Sequence, residues 1–159
     1  MKHRWRLPTL VLLLALPIRG QAAGIEITRV FTGWQDAASF ERISEYFNGR
    51  ENSGGIPVLR SQPAERAGYY WLVRLKNGEA ALAGANFELQ VITPASPETK
   101  IFAFPASIPA GRSLFRLGLT GADWPGARFR PVAWQLSLLT ADGRTVIARQ
   151  SFLWAMPPG

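Results

Sequence analysis

Residues 69–76 read Tyr69-Tyr70-Trp71-Leu72-Val73-Arg74-Leu75-Lys76. In an extended chain successive side chains point to opposite faces. Tyr69, Trp71, Val73 and Leu75 therefore share one face, and Tyr70, Leu72, Arg74 and Lys76 the other. The same period of two continues outward in both directions. Upstream, Ile25, Ile27 and Arg29 fall on one side of a short first strand leading to Phe31, and Ile56 to Arg60 gives a weaker second strand. Downstream, Phe87, Leu89 and Val91 alternate with Glu88, Gln90 and Ile92. Ile101–Phe104 and Leu114–Leu119 follow, separated by Pro105, Pro109 and Gly111. Val132, Trp134, Leu136 and Leu138 then alternate with Ala133, Gln135, Ser137 and Leu139, and Thr145–Trp154 closes a set of eight candidate strands. Regular short strands with turn signals about every 10 residues predict an all-β sandwich or barrel.

The punctuation agrees. Asp142-Gly143 sits between the last two strands and reads as a two-residue hairpin, because both turn positions favour positive φ. Asn77-Gly78 is a similar signal, but the small residues from Glu79 to Ala85 also suit a longer connection carrying the chain between sheets. One segment departs from the alternation. Asp36 is placed to cap a helix running to Phe47, with Asn48-Gly49 as its stop. Phe40, Ile43 and Phe47 recur at helical spacing on one face. Three large apolar residues on so short a helix point to a plug over the core rather than a partner surface. Arg50 to Gly55 then reads as a mobile loop.

The C-terminal run PVAWQLSLLTADGRTVIARQSFLW, residues 131–154, resembles the closing hairpin of immunoglobulin-like or fibronectin-type-III-like domains. FPASIPAGRSLFRLGL, residues 104–119, resembles the strand before it, and YYWLVRLKN, residues 69–77, an early core strand with a buried Trp. The resemblance covers about residues 56–156 and implies a single immunoglobulin-like sandwich of seven or eight antiparallel strands. The chain departs from antibody domains in having no cysteine pair, and the helix near 36–47 is foreign to the pattern. A shared sandwich carries no activity of its own.

The N-terminus predicts export. Lys2, Arg4 and Arg6 precede an apolar run from Leu7 to Ile18, and Gly20-Gln21-Ala22 follows with small residues at −3 and −1 of a cleavage after Ala22. This is the order of a secretory signal peptide. The run falls short of the ~20 residues of a membrane span, and Pro8 and Pro17 lie near its ends. Removing 22 of the 159 residues leaves 137, divided into 23–55 (first strand, helix and loop), a sandwich at 56–156 and a tail at 157–159. The mature chain is expected in the periplasm or outside the cell, with no membrane span. Cleavage removes Lys2, Arg4, Arg6 and Arg19, four of 18 basic residues, and none of the 11 acidic ones, so net charge falls from +7 to +3. The remaining arginines are dispersed in sequence; Arg128 and Arg130 are the nearest thing to a cluster. Nucleic acid is not an expected partner.

The only histidine is His3, and there is no cysteine. Beyond the signal peptide the chain lacks the side chains of Ser-His-Asp and Cys-His sites, of disulfides and of ordinary zinc centres. It also lacks the lipidated cysteine of bacterial lipoproteins. Glu41 and Glu45, one helical turn apart, are the closest approach to a carboxylate pair, but nothing else marks them. No catalytic residue, cofactor or metal ligand is expected. The binding candidates are aromatic. Trp71 and Trp134 fit the core, whereas Trp34 precedes the helix and Trp124 lies in the loop Gly121-Ala122-Asp123-Trp124-Pro125-Gly126. Loop aromatics beside a polar group hold sugars or peptides by stacking and hydrogen bonding. Trp124, Asp123 and Trp34 are thus the candidate ligand residues, and Trp124 folded back over the core is the competing reading. The expected partner is a glycan or protein of the cell envelope. An exposed Trp platform favours the glycan, and an open strand edge favours protein assembly. Pro105, Pro109 and Pro131 near strand ends read as edge protection. An eight-stranded outer-membrane barrel fits the strand count but not the Pro-Pro-Gly ending or the helix.

Overall fold

The computed structural model describes residues 24–42, 45, 49 and 51–155. The expected signal peptide at 1–22 and the tail at 157–159 lie outside these residues. Among the described residues eight strands form: β1 (Ile25–Gln35), β2 (Val58–Arg60), β3 (Gly68–Asn77), β4 (Leu82–Thr93), β5 (Ser96–Ile108), β6 (Gly111–Thr120), β7 (Ala133–Leu139) and β8 (Thr145–Gln150). They make two four-stranded sheets, in the orders β1-β3-β6-β2 and β5-β4-β7-β8. The architecture is an all-β sandwich. Every pairing is antiparallel except β2 with β6, which is parallel.

The alternation of 69–76 does what it predicts. Tyr69, Trp71, Val73 and Leu75 are buried, and opposite them in the other sheet stand Phe87, Leu89 and Val91 from β4 with Leu136 and Leu138 from β7. Ile27, Phe115, Leu117 and Leu119 complete the near side, and Phe104 and Ile108 of β5 the far side. β5 runs straight through Pro105 to Ile108, although proline cannot donate to a ladder. It can do so because β5 is an edge strand bonded only to β4.

Three local expectations are corrected. First, Arg29 does not share a face with Ile27. The register of β1 against β3 shifts between Ile27 and Arg29, so Thr28 is an extra residue and Arg29 lies opposite Arg74 on the outer face. Second, the helix from Asp36 starts as expected: Asp36 Oδ1 accepts the Ser39 N–H at 2.9 Å. It is a 3-10 turn that ends at Phe40, with Glu41 already extended at φ −72° and ψ 131°. A single turn satisfies the cap and seats Phe40, the one buried residue of the turn, against Tyr70. Of the later part of that helix, residues 43–44 and 46–48 lie outside the described residues. Third, the hairpin at Asp142-Gly143 is longer than two residues. Thr140 N–H donates to Arg144 C=O and Gly143 N–H donates to Thr140 C=O, both at 2.9 Å. With Gly143 at φ +80°, this is the three-residue loop that ends in a left-handed glycine.

At Asn77-Gly78 the chain crosses between the sheets. Asn77 is buried; its Nδ2 donates to Ala80 C=O and Pro109 C=O, and its Oδ1 accepts from Glu79 N–H. One side chain thereby joins two crossover turns. No helix among the described residues is long and apolar enough to cross a membrane.

Candidate functional site

The loop of 121–126 begins with a 3-10 turn, Gly121–Asp123, which throws Trp124 inward. Its ring is 4% exposed. It stacks on Tyr69 at 4.7 Å and 26°, stands edge-on to Trp71 at 6.2 Å, and donates its Nε1 hydrogen to Gly126 C=O at 3.1 Å. Both the apolar surface and the polar edge of Trp124 are thus in use. Trp34 belongs to β1, on the face of Val30, and packs half-buried against the core. Asp123 stays half-exposed, its Oδ2 accepting from Gln62 Nε2 at 3.0 Å. The three residues do not assemble into an open aromatic platform.

The structure builds two other features that the sequence pattern did not single out. One is a cluster over the outer face of β3 and β6. Gly118 leaves room for the Tyr70 ring: a Cβ there would lie 2.7 Å from Tyr70 Cζ. Phe40 covers that ring with centroids 4.9 Å apart. Arg60 donates from Nε to Tyr70 Oη at 2.9 Å and from Nη1 to Glu51 Oε2 at 2.8 Å, while its guanidinium lies 4.9 Å from the Phe40 ring. Tyr70 Oη donates onward to Arg66 C=O at 2.6 Å. Arg66 in turn binds Glu45 at 2.9 Å. The hydrogen bond from Arg60 holds the Glu51 carboxyl below its ordinary value, and that same bond raises the arginine's own. Burial pushes the Tyr70 phenol up. Each charge has its partner, so the cluster fastens the segment before β3 onto the sheet. Glu41 and Glu45 line a small hollow with Arg42 and Arg66. Glu45 is taken by Arg66.

The second feature is a cavity of about 620 Å³ where the sandwich opens between β6 and the β4–β5 hairpin. Ile56, Pro57, Leu82, Ile108, Leu114 and Phe115 give it apolar walls, with Ser107 and Arg112 at its polar margin. Its floor follows from the parallel pairing. Arg116 N–H donates to Pro57 C=O and Ser61 N–H to Gly118 C=O, both at 2.9 Å. The next bond down would run from residue 57 to Leu114 C=O, and Pro57 has no N–H to give. β2 stops there. The main-chain groups of Leu114 and Arg112 that point away from β3 therefore face an open edge beside an apolar groove.

Among the described residues no three metal-ligating side chains come together. The chain matches no protein-family model and no curated protein sequence.

Proposed function

We propose that the protein is an exported, non-catalytic binding domain that holds a protein of the cell envelope by pairing with an extended segment of it. The observation that carries this reading is the unpaired edge of β6 at Arg112–Leu114 beside the groove walled by Leu82, Ile108 and Phe115. A strand laid on such an edge gains main-chain hydrogen bonds, and alternate side chains enter the groove. The enclosed ring of Trp124 moves the reading away from a stacked sugar. Export rests on the basic, apolar and small-residue order of the first 22 residues. A non-catalytic role is supported by a sequence with no His or Cys after them.

We further infer that the sandwich is of the immunoglobulin-like kind. The orders β1-β3-β6 and β5-β4-β7-β8 match the A-B-E and C′-C-F-G arrangement of such domains. β2 occupies the place beside E that strand D takes there, but it comes earlier in the chain and runs parallel. The groove is then the part of the D position that β2 leaves open.

The test is site-specific photo-crosslinking in producing cells from Ser107, at the groove, and from Glu98, on β5 away from it. The reading expects one discrete crosslinked partner from Ser107, none from Glu98, and loss of the Ser107 product when Ala83→Arg fills the groove. A Ser107 product that survives Ala83→Arg, or the absence of any product, overturns it.

A further inference from the structure

The outer face of the β1-β3-β6 sheet collects charge that the sequence scatters. The register sets Arg29, Arg74 and Leu114 side by side across the three strands, and Glu26, Lys76 and Arg112 in a row below them. Phe31, Leu72 and Arg116 form the row above. Five cations and one carboxylate thus stand in these three rows, a local charge of +4, when the whole chain after residue 22 carries only +3. None of the five makes a salt bridge among the described residues. Arg116 Nε is buried without a hydrogen-bond partner there. Phe31 stands 45% exposed, with Arg29 at 5.4 Å and Arg74 at 5.7 Å from its ring. Between Arg74, Lys76 and Arg112 the surface sinks into a depression of about 550 Å³.

We propose that this face docks on an anionic phospholipid surface. Like charges on one sheet face repel, so the four exposed cations, Arg29, Arg74, Lys76 and Arg112, are stabilised by an anionic partner, while Arg116 is half-buried with its guanidinium 5.7 Å from the Phe40 ring. Its shape selects the partner. Adjacent strands are about 4.8 Å apart and alternate residues along a strand about 7 Å apart, so the cations form a flat two-dimensional patch rather than the stripe that would track a linear polyanion. A bilayer carrying anionic headgroups is flat and charged in the same two dimensions. The exposed Phe31 ring among the cations, with half-buried Leu72 and Leu114 beside it, provides the apolar contact of an interfacial surface. The depression admits one headgroup phosphate between Arg74, Lys76 and Arg112. This surface adjoins the groove of the proposed function at Arg112 and Leu114, but vesicle binding and crosslinking from Ser107 read the two separately, so either can fail without the other.

The test is co-sedimentation of the processed chain, purified after export, with vesicles of phosphatidylcholine containing 30% phosphatidylglycerol or none. Binding is expected only to the anionic vesicles, with release at high salt. Near such a surface each cation contributes about 1 kcal/mol, so Arg74→Gln with Arg112→Gln lowers partitioning about thirtyfold. Lys100→Gln with Arg144→Gln changes net charge equally but lies on β5 and in the β7–β8 turn, away from this face, and costs less than about threefold. Circular dichroism checks that both double variants remain folded. Equal loss in the two variants, or equal binding to neutral vesicles, overturns the proposal. Binding to soluble dextran sulfate without binding to vesicles also overturns it and reassigns the face to a soluble polyanion.

Discussion

Trp124 shows how far a single residue can be read from its neighbours. A Trp-Pro loop at the end of a sandwich has the same sequence whether the indole faces solvent or the core. What decides is Tyr69, 55 positions away in sequence, whose ring provides the stacking surface. With the indole also donating to Gly126 C=O, Trp124→Ala removes a packed ring and leaves a cavity, a loss of about 3–5 kcal/mol. Urea denaturation followed by circular dichroism measures it. A cost under about 1 kcal/mol would mean that the ring is solvated and the loop is open for ligand after all. Trp71 was legible as core because it lies in an alternating strand, where position fixes the face; Trp134, read the same way, is half-buried and packs against that core. Trp34 was not legible, because the strand runs past Thr32 into what reads as a connection.

At the scale of elements, period two located most of the strands, but their faces are less secure. One extra residue at Thr28 turns Arg29 from the core side to the outer side, and no local composition announces it. The segment between β1 and β3 was harder still. Its order comes from contacts between distant residues: Phe40 on Tyr70, Arg60 on Glu51, and Thr120 Oγ1 donating to Gln62 C=O. Glu51 makes this strap pH-dependent. Hydrogen bonding from Arg60, opposed by burial and aided by the charge of Arg66, sets its folded pKa below the ordinary 4.5. A depressed carboxylate contributes stability in full above its unfolded pKa and loses it as pH falls through the folded value. The protein should therefore lose stability below about pH 4.5, and Glu51→Gln should flatten that part of the profile. At pH 7 the same variant leaves Arg60, whose side chain is 7% exposed, without its anion, at a cost of about 1–3 kcal/mol. Denaturant midpoints at pH 7 and across the acid range check both effects. An unchanged acid limb would show that Glu51 is not bound in solution.

A sandwich has two seams, and in this molecule they differ. Along one, β1 lies over β8, and Arg149 Nε reaches across from β8 to Ile27 C=O at 3.2 Å, beside the bulge that turns Arg29 outward. Along the other, β2 is only three residues long, and the sheets part into the groove below Pro57. Neither seam was legible in the sequence, because each depends on which edges face one another, and that is settled only when eight strands choose partners. The asymmetry predicts opposite responses to substitution. Arg149→Met breaks a charge-assisted bond that ties the sheets together and should lower stability by about 1.5–3 kcal/mol. Because one core joins both sheets, circular dichroism and tryptophan fluorescence should shift together. Ala83→Arg, at the rim of the open seam, enters space that no side chain fills and should stay within about 0.5 kcal/mol of the parent. If Ala83→Arg costs as much as Arg149→Met, the second seam is packed shut in solution, and an incoming strand would have to displace native contacts to reach Leu114.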